Sequence, residues 1–208
     1  MFAESITFED AIEMTHLRGK LMQNSEEGKM MAILGLDSKT IDEACSQINE
    51  SHKTAYVASA NYNSAKQIVI AGNIEGIDIA RNLLPDIGAK RCIELNVSIA
   101  SHTNLMTDAA NEFNEALQKI NLSPPRHPII QNYTGEIETD ISSIKQNLFN
   151  QLTKPVLWTK TMDKISQSAS CLIEVGPKNI LCGLSKGYDL SSILYIADQN
   201  FKDRVQNI

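Results

Sequence analysis

The sequence has few cysteines, a deficit of basic residues and no long apolar run. Its 4 cysteines are scattered along 208 residues without CxxC spacing, which argues against a zinc site or a disulfide scaffold. Only 19 Lys and Arg stand against 25 Asp and Glu, so a nucleic-acid partner is not expected. No apolar run could span a bilayer, and the N-terminus does not have the layout of a signal peptide. We therefore expect a cytoplasmic protein with no nucleic-acid or membrane partner.

Residues 30–97 carry the clearest secondary-structure pattern. Four strand-like runs alternate with two amphipathic helices, and the runs cover 30–36, 55–61, 67–72 and 91–97. Asp37 and Asn73 are suited to cap the two helices, and NYNSAK (61–66) is typical of a turn. The resulting order, βαββαβ, predicts a ferredoxin-like unit.

The flanking segments predict part of an α/β layer structure. An apolar stripe predicts a helix from about Phe8 to Gln23, and a second predicts a long helix after residue 101. Further helices are expected over 141–153, 158–165 and 179–186, and further strands over 128–132, 171–175 and 192–197. Alternating strands and helices indicate a sheet of which this chain contains only a part.

One motif resembles the nucleophile segment of serine hydrolases. Residues 183–187 read Gly-Leu-Ser-Lys-Gly, a GxSxG pattern. A nucleophile elbow leads from a strand into a helix, whereas here a short helix leads into a strand. We therefore expect Ser185 to be an ordinary residue at a helix end and Gly187 to end that helix. No P-loop, GxGxxG or HExxH motif is present, so neither a metal nor a bound cofactor is predicted.

His102 is the best candidate for acid–base chemistry. It follows the fourth strand in VSIASH and precedes the long helix, with Ser101 placed to cap that helix. The positive end of a helix disfavours imidazolium, so we expect a neutral ring of the kind that a general base requires. The competing interpretation is a surface or capping histidine without a catalytic role.

Two further groups of residues allow alternative interpretations. Arg18, at the edge of the apolar stripe in the first helix, is either a surface residue or a bidentate partner for a carboxylate. Asn63 and Gln67, in NYNSAKQIVIAG, have the character of turn residues and show nothing catalytic by themselves.

Seven segments together resemble the malonyl-CoA:acyl-carrier-protein transacylases of fatty acid synthesis. In the order of that family they are LRGKLMQ (17–23), MMAILGL (30–36), NYNSAKQIVIAG (61–72), GAKR (88–91), VSIASH (97–102), KPVLWTK (154–160) and EVGPKNILCGL (174–184). The resemblance implies a partial hydrolase-like α/β domain, residues 1–29 and 98–208, with an inserted ferredoxin-like βαββαβ subdomain at 30–97.

The resemblance also implies a role for individual residues. His102 matches the histidine that deprotonates the nucleophilic serine and later activates the phosphopantetheine thiol of the acyl carrier protein. Arg18 matches the arginine that pairs with the malonyl carboxylate, and Asn63, Gln67 and Ser101 match residues of the acyl pocket. Leu157 occupies the position whose backbone carbonyl orients the histidine, where many members carry glutamine. ASH at 100–102 partly resembles methylmalonyl-selecting domains, but malonyl-specific enzymes also carry serine there, so malonyl is retained.

Two segments of the family pattern are not found in the sequence. They are the GQG segment, which supplies an oxyanion-hole glutamine, and the GHSxG segment, which carries the serine. The resemblance places both ahead of residue 1, so we predict that the 208-residue chain alone has no transferase activity. The alternative is a non-catalytic ferredoxin-like binding or regulatory protein derived from an acyltransferase.

The expected partners are malonyl-CoA and acyl carrier protein, with no cofactor beyond the phosphopantetheine on that carrier. Lys90 and Arg91 follow the second helix of the βαββαβ unit. Because carrier proteins are acidic, these two cations form a candidate docking patch. They could equally complement the dipole at the helix end.

Overall fold

The computed structural model describes residues 3–206 and shows an α/β fold. The chain forms two compact units, a first unit up to Trp158 and a second unit from Thr159. The predicted division at residues 29/30 and 97/98 stays a prediction, and its outer bounds, 1 and 208, lie outside the described residues. None of the helices within 3–206 is long and apolar enough to cross a membrane.

Eight strands and eight α-helices are found in the described part of the chain. The strands are β1 (Lys29–Leu34), β2 (Val57–Ser64), β3 (Gln67–Gly72), β4 (Arg91–Glu94), β5 (Ile129–Ile130), β6 (Ile137–Glu138), β7 (Cys171–Glu174) and β8 (Ser192–Tyr195). The helices are α1 (Phe8–Gln23), α2 (Ser38–Ser51), α3 (Ile74–Asp86), α4 (Thr107–Lys119), α5 (Ile141–Thr153), α6 (Trp158–Ser166), α7 (Ile180–Leu184) and α8 (Phe201–Val205). A 3₁₀ turn, Asn104–Met106, precedes α4.

The first four strands form one antiparallel sheet in the order β2-β3-β1-β4. Residues of β1 alternate between its two faces, as the twofold period of a strand requires. Met31 and Ile33 are fully buried in the cluster formed with α2 and α3, whereas Met30 and Ala32 belong to a second cluster with Ala100. Both faces of this sheet are therefore covered.

The helices on this sheet begin at side-chain caps. Asp37 accepts a hydrogen bond from the backbone N–H of Thr40, and Asn73 accepts one from the N–H of Gly76. Each cap satisfies a donor that the first helical turn leaves unpaired. The element order β1-α2-β2-β3-α3-β4 is the one predicted from the sequence.

A second core in the first unit is made by helices. α4 packs against α1 and α5, and its buried side chains include Phe113 and Leu117. Met14 and Met22 of α1 and Leu152 of α5 also belong to this cluster. This packing places the last turn of α5 beside the chain that enters α4.

In the second unit, β7 and β8 form a two-stranded parallel sheet. Leu194 of β8 is buried, whereas Ile173 of β7 is 42% exposed. In the first unit, β5 and β6 form a short antiparallel hairpin.

Three local predictions differ from the structure. Residues 61–64, expected in a turn, extend β2, because Asn61, Tyr62 and Ser64 pair with β3. The long helix begins only at Thr107, and the side chain that caps the preceding 3₁₀ turn is Thr103 rather than Ser101. The strand β6 and the helix α8 were not expected, since both are too short to show a period.

Candidate active site around His102

His102 lies in a tight turn between β4 and α4. Its φ of +64° places it in the left-handed region, which costs a residue other than glycine about 1–3 kcal/mol. The neighbouring Thr103 is buried, and its hydroxyl donates to the carbonyl of Ala100 at 2.7 Å. Ala100 in turn is fully buried against the sheet. The surrounding structure thus fixes the unusual conformation.

Two backbone carbonyls in the last turn of α5 hold His102. Its N–H donates to the carbonyl of Leu152 at 3.0 Å, and its ring Nδ1 lies 2.7 Å from the carbonyl oxygen of Gln151. A carbonyl can only accept, so Nδ1 carries the proton in this contact. In the neutral ring, Nε2 is then the unprotonated acceptor, which is the atom a general base uses.

The assignment of the orienting carbonyl to Leu157 is wrong. The residue whose carbonyl contacts the ring is Gln151. Leu157 instead donates its N–H to the carbonyl of Asn132 at 2.8 Å. The contact joins residues 49 positions apart, and no signal in the sequence points to Gln151.

The pKa of His102 is lowered mainly by burial. The carbonyl of Gln151 opposes this shift, the positive charge of Arg18 lowers the pKa further, and the backbone of Lys154 raises it. The direction of this shift is the one expected of a ring kept neutral. The expected cause is wrong, because His102 precedes the 3₁₀ turn and does not stand at the first turn of α4.

Arg18 is partly buried and has an unpaired nitrogen. Within residues 3–206, the buried Nε of its guanidinium has no hydrogen-bond partner. Burial also lowers the pKa of Arg18. A buried, unpaired donor of a charged group is costly unless a ligand satisfies it. An anionic ligand with a planar carboxylate would match this fork.

The segment after α1 is tied to the segment before His102. Glu27 and Ile99 form an antiparallel bridge, and the N–H of Gly28 donates to the carbonyl of Ser98 at 3.0 Å. A Cβ added at Gly28 would lie 2.7 Å from the Cβ of Ala100, so this approach requires glycine. These contacts hold the segment that follows the Arg18 helix next to the segment that precedes His102.

The remaining predicted site residues lie in three places. Ser101 immediately precedes His102 and is partly buried, whereas Asn63 lies near the end of β2 and Gln67 begins β3. The carbonyl of Val156 accepts from Tyr62, so the end of β2 is joined to the chain that follows α5. The acyl-pocket roles of Asn63, Gln67 and Ser101 stay predictions.

Ser185 shows the features of a structural residue. It is fully buried at the end of α7, and its hydroxyl donates to the carbonyl of Leu181 at 2.8 Å. The order is helix followed by strand, opposite to a nucleophile elbow. Gly187, two residues after Ser185, adopts a φ of +105°. In residues 3–206, no three His, Cys, Asp or Glu side chains group so that they could hold a metal ion.

A histidine with a lowered pKa and a partly buried arginine with an unpaired Nε fit acyl-group chemistry, and comparison with known families agrees. A family model described as "Acyl transferase domain" matches residues 1–190. The chain therefore belongs to the acyl transferase family.

The curated proteins similar to this chain have a more specific name within the acyl transferase family. The chain is 40% identical over 185 residues to the malonyl CoA-acyl carrier protein transacylase of Salmonella typhimurium, covering 87% of this chain and 59% of that protein. It is 34% identical over 188 residues to the protein of the same name from Bacillus subtilis, covering 88% and 59% of the two chains. This chain thus spans about three fifths of the length of these curated relatives.

Solved structures show the same likeness. The crystal structure of FabD from Acinetobacter baumannii matches with a TM-score of 0.93 and 36% identity, covering 99% of this chain and 66% of that one. A structure described as a type II PKS acyl-carrier protein in complex with its malonyl-transacylase matches with a TM-score of 0.90 and 35% identity, covering 99% and 68%. These names do not favour the alternative of a non-catalytic binding protein.

Proposed function

We propose that this chain supplies the base and the carboxylate-binding arginine of a malonyl-CoA:acyl-carrier-protein transacylase. The observation that carries the proposal is the position of the His102 ring, whose Nδ1 lies on the carbonyl of Gln151 with the charge of Arg18 nearby. Relatives with the name malonyl CoA-acyl carrier protein transacylase support the choice of substrate.

In the proposed reaction, His102 Nε2 takes the proton of a serine hydroxyl while that oxygen attacks the thioester carbonyl of malonyl-CoA. The tetrahedral intermediate expels the coenzyme A sulfur, which takes the proton from the imidazolium. In the second half, His102 removes the proton of the phosphopantetheine thiol, and the thiolate attacks the malonyl–serine ester. The serine oxygen leaves and regains the proton. The serine belongs to the GHSxG segment, which these 208 residues do not contain.

Arg18 would hold the free carboxylate of the malonyl group. Its unpaired, buried Nε gives the carboxylate a donor that no described side chain uses. Bidentate pairing of this kind fixes the orientation of the acyl group as well as its charge. Asn63, Gln67 and Ser101 would line the rest of the acyl pocket.

The fold and the partners of the proposed enzyme follow from the same family. Residues 30–97 would be a ferredoxin-like subdomain inserted in a hydrolase-like α/β domain that residues 1–29 and 98–208 partly form. Lys90 and Arg91, both exposed, would meet the acidic carrier protein. The reaction needs no cofactor in this chain, because the thiol arrives on the carrier, and we place the enzyme in the cytoplasm.

A fusion protein tests this function. The part of the Salmonella typhimurium transacylase that has no counterpart here is joined ahead of residue 1, and malonyl transfer to acyl carrier protein is measured. We expect transfer, with His102→Ala lowering kcat/KM by about 10² to 10⁴-fold. His16→Ala, at an exposed histidine, serves as the matched control and should leave the rate unchanged. A fusion whose transfer is equal with and without His102 would overturn the proposal.

A further inference from the structure

The carboxylate of Asp42, on α2, binds two hydroxyl groups of β2. The hydroxyl of Ser59 donates to its Oδ1 at 2.5 Å, and the hydroxyl of Tyr62 lies 3.0 and 3.1 Å from its two oxygens. Hydrogen bonds to an ionised carboxylate are about twice as strong as those between neutral groups. Burial and the charge of Asp42 raise the pKa of Tyr62 to about 12, so its hydroxyl stays protonated and donates at neutral pH. These three side chains therefore link α2 to the end of β2.

The pairing of β2 with β3 is interrupted twice near this link. The register shifts between Ser59 and Asn61, and it shifts again between Tyr62 and Ser64. Such a shift is characteristic of a β-bulge, in which an extra residue has no partner on the neighbouring strand and the ladder is locally disrupted. Tyr62 lies between the two shifts. Its position therefore depends more on contacts outside the ladder than that of a regularly paired residue.

The outer edge of β2 binds the chain that follows α5. The backbone N–H of Tyr62 donates to the carbonyl of Val156 at 2.9 Å, and the N–H of Val156 donates to the carbonyl of Ala60 at 2.9 Å. Asn61 and Val156 form a parallel bridge between these two bonds. Tyr62 is therefore held through its hydroxyl by Asp42 and through its backbone by Val156.

The same stretch of chain supplies the backbone groups that act on His102. The carbonyl of Gln151 lies 2.7 Å from the ring Nδ1, and the backbone of Lys154 raises the pKa of the ring. Lys154 is the residue at the end of α5, and it stands two residues before Val156. A displacement of Val156 would therefore reach the groups that orient the ring within a few residues of chain.

We propose that Asp42 is a positioning residue for His102. Its carboxylate fixes Tyr62, Tyr62 fixes Val156, and the chain around Val156 keeps the carbonyl of Gln151 on the Nδ1 of the ring. Asp42 acts through these groups and needs no contact with a substrate. The inference rests on the proposed function only in that His102 is the base, and the orientation of the ring can be measured without the reaction.

Exchange of the Nδ1 proton of His102 with water tests the proposal, followed by NMR of the 208-residue chain with labelled histidine. Tyr62→Phe keeps the aromatic ring and removes only the hydroxyl, whereas Asp42→Ala removes the carboxylate. We expect each variant to speed the exchange by about 10-fold, the factor that corresponds to one hydrogen bond to a charged group. The double variant should exchange about as fast as Asp42→Ala alone, because both changes remove the same link. Asp42→Asn keeps an oxygen that can accept from the hydroxyls, so its exchange should stay within about 3-fold of wild type.

Two control variants separate positioning from a general loss of stability. Glu43→Ala removes an exposed carboxylate of the same helix, 3.8 Å from Lys39, and should leave the exchange unchanged. Ile48→Val removes one carbon atom from the buried core under α2 and lowers stability without removing a hydrogen bond of Asp42. It should also leave the exchange unchanged. Equal exchange in wild type and Tyr62→Phe would overturn the proposal, and so would an equal acceleration by Ile48→Val.

The fusion protein separates this inference from the proposed reaction. In an active fusion, Tyr62→Phe should lower kcat by about 3- to 10-fold and change KM by less than about 2-fold, because the base is displaced while substrate binding is kept. An inactive fusion, together with faster exchange in Tyr62→Phe, would reject the proposed reaction alone. An active fusion, together with unchanged exchange in Tyr62→Phe, would reject the positioning role of Asp42 alone.

Discussion

The sheet of β1–β4 and the sheet of β7 and β8 differ in how completely they are covered. In the first, Ile33 and Ile70 are fully buried under two helices, and the opposite face packs against Ala100. In the second, Ile173 and Val175 face solvent and one strand edge is unpaired in the described residues. Within the described residues, the first sheet is therefore buried on both faces, whereas the second sheet leaves apolar side chains exposed.

The largest expected effect compares one isoleucine from each sheet. Ile70→Ala leaves a cavity under α2 and α3 and should lower the free energy of unfolding by about 2–5 kcal/mol. Ile173→Ala removes the same atoms from a partly exposed site and should cost less than about 1 kcal/mol. Urea unfolding followed by circular dichroism measures both. Equal losses of unfolding free energy in the two variants would contradict the difference in burial between the two sheets.

A smaller effect compares two asparagines at helix starts. Asn73, before α3, accepts from the N–H of Gly76 and of Tyr56 and donates to the carbonyl of Thr54. Asn200, before α8, makes no side-chain cap. Asn73→Ala should therefore cost about 1–2 kcal/mol, and Asn200→Ala close to none.

Urea midpoints of the two asparagine variants, measured against the wild-type chain, give this comparison. The result that would contradict it is a loss at Asn200 as large as the loss at Asn73.

The smallest expected effect is a pH dependence confined to the first unit, which contains all four histidines. Burial lowers the pKa of His102 in the folded state. Below the ordinary value near 6.5, the unfolded chain therefore binds more protons than the folded chain, and stability falls as the pH falls. We expect His102→Gln to flatten this slope between about pH 5.5 and 7, while His16→Gln retains it.

The fluorescence of Trp158, the one tryptophan, reports the urea midpoint at each pH. An unchanged slope in His102→Gln would mean that the histidine is not held neutral by the fold.

Local signals allowed much of the fold to be predicted from sequence. α1 and α5 begin and end where their apolar periods do, and Asp37 and Asn73 cap the helices expected of them. The extension of β2 to Ser64 could not be predicted, because NYNSAK is rich in turn-forming residues although Asn61, Tyr62 and Ser64 pair with β3. A helix cap depends on residues that are close in sequence, whereas the end of a strand depends on the strand with which it pairs.

The site was predictable only in part, for the same reason. His102 and Arg18 could be chosen as candidates because each lies next to an apolar pattern in the sequence. In the structure, the charge of Arg18 lowers the pKa of His102. The contact between His102 and Gln151 joins residues 49 positions apart, so no local sequence pattern predicts it. The left-handed conformation of His102 likewise has no glycine or turn motif in the sequence to predict it.

The central claim is that the fold holds the His102 ring neutral with its proton on Nδ1, leaving Nε2 as the base. Nitrogen NMR of the labelled histidine ring, assigned with the His102→Ala variant, measures the tautomer and the pKa together. The account predicts a protonated Nδ1, an unprotonated Nε2 and a pKa below the ordinary value near 6.5. A ring with its proton on Nε2, or a pKa above that value, would contradict it.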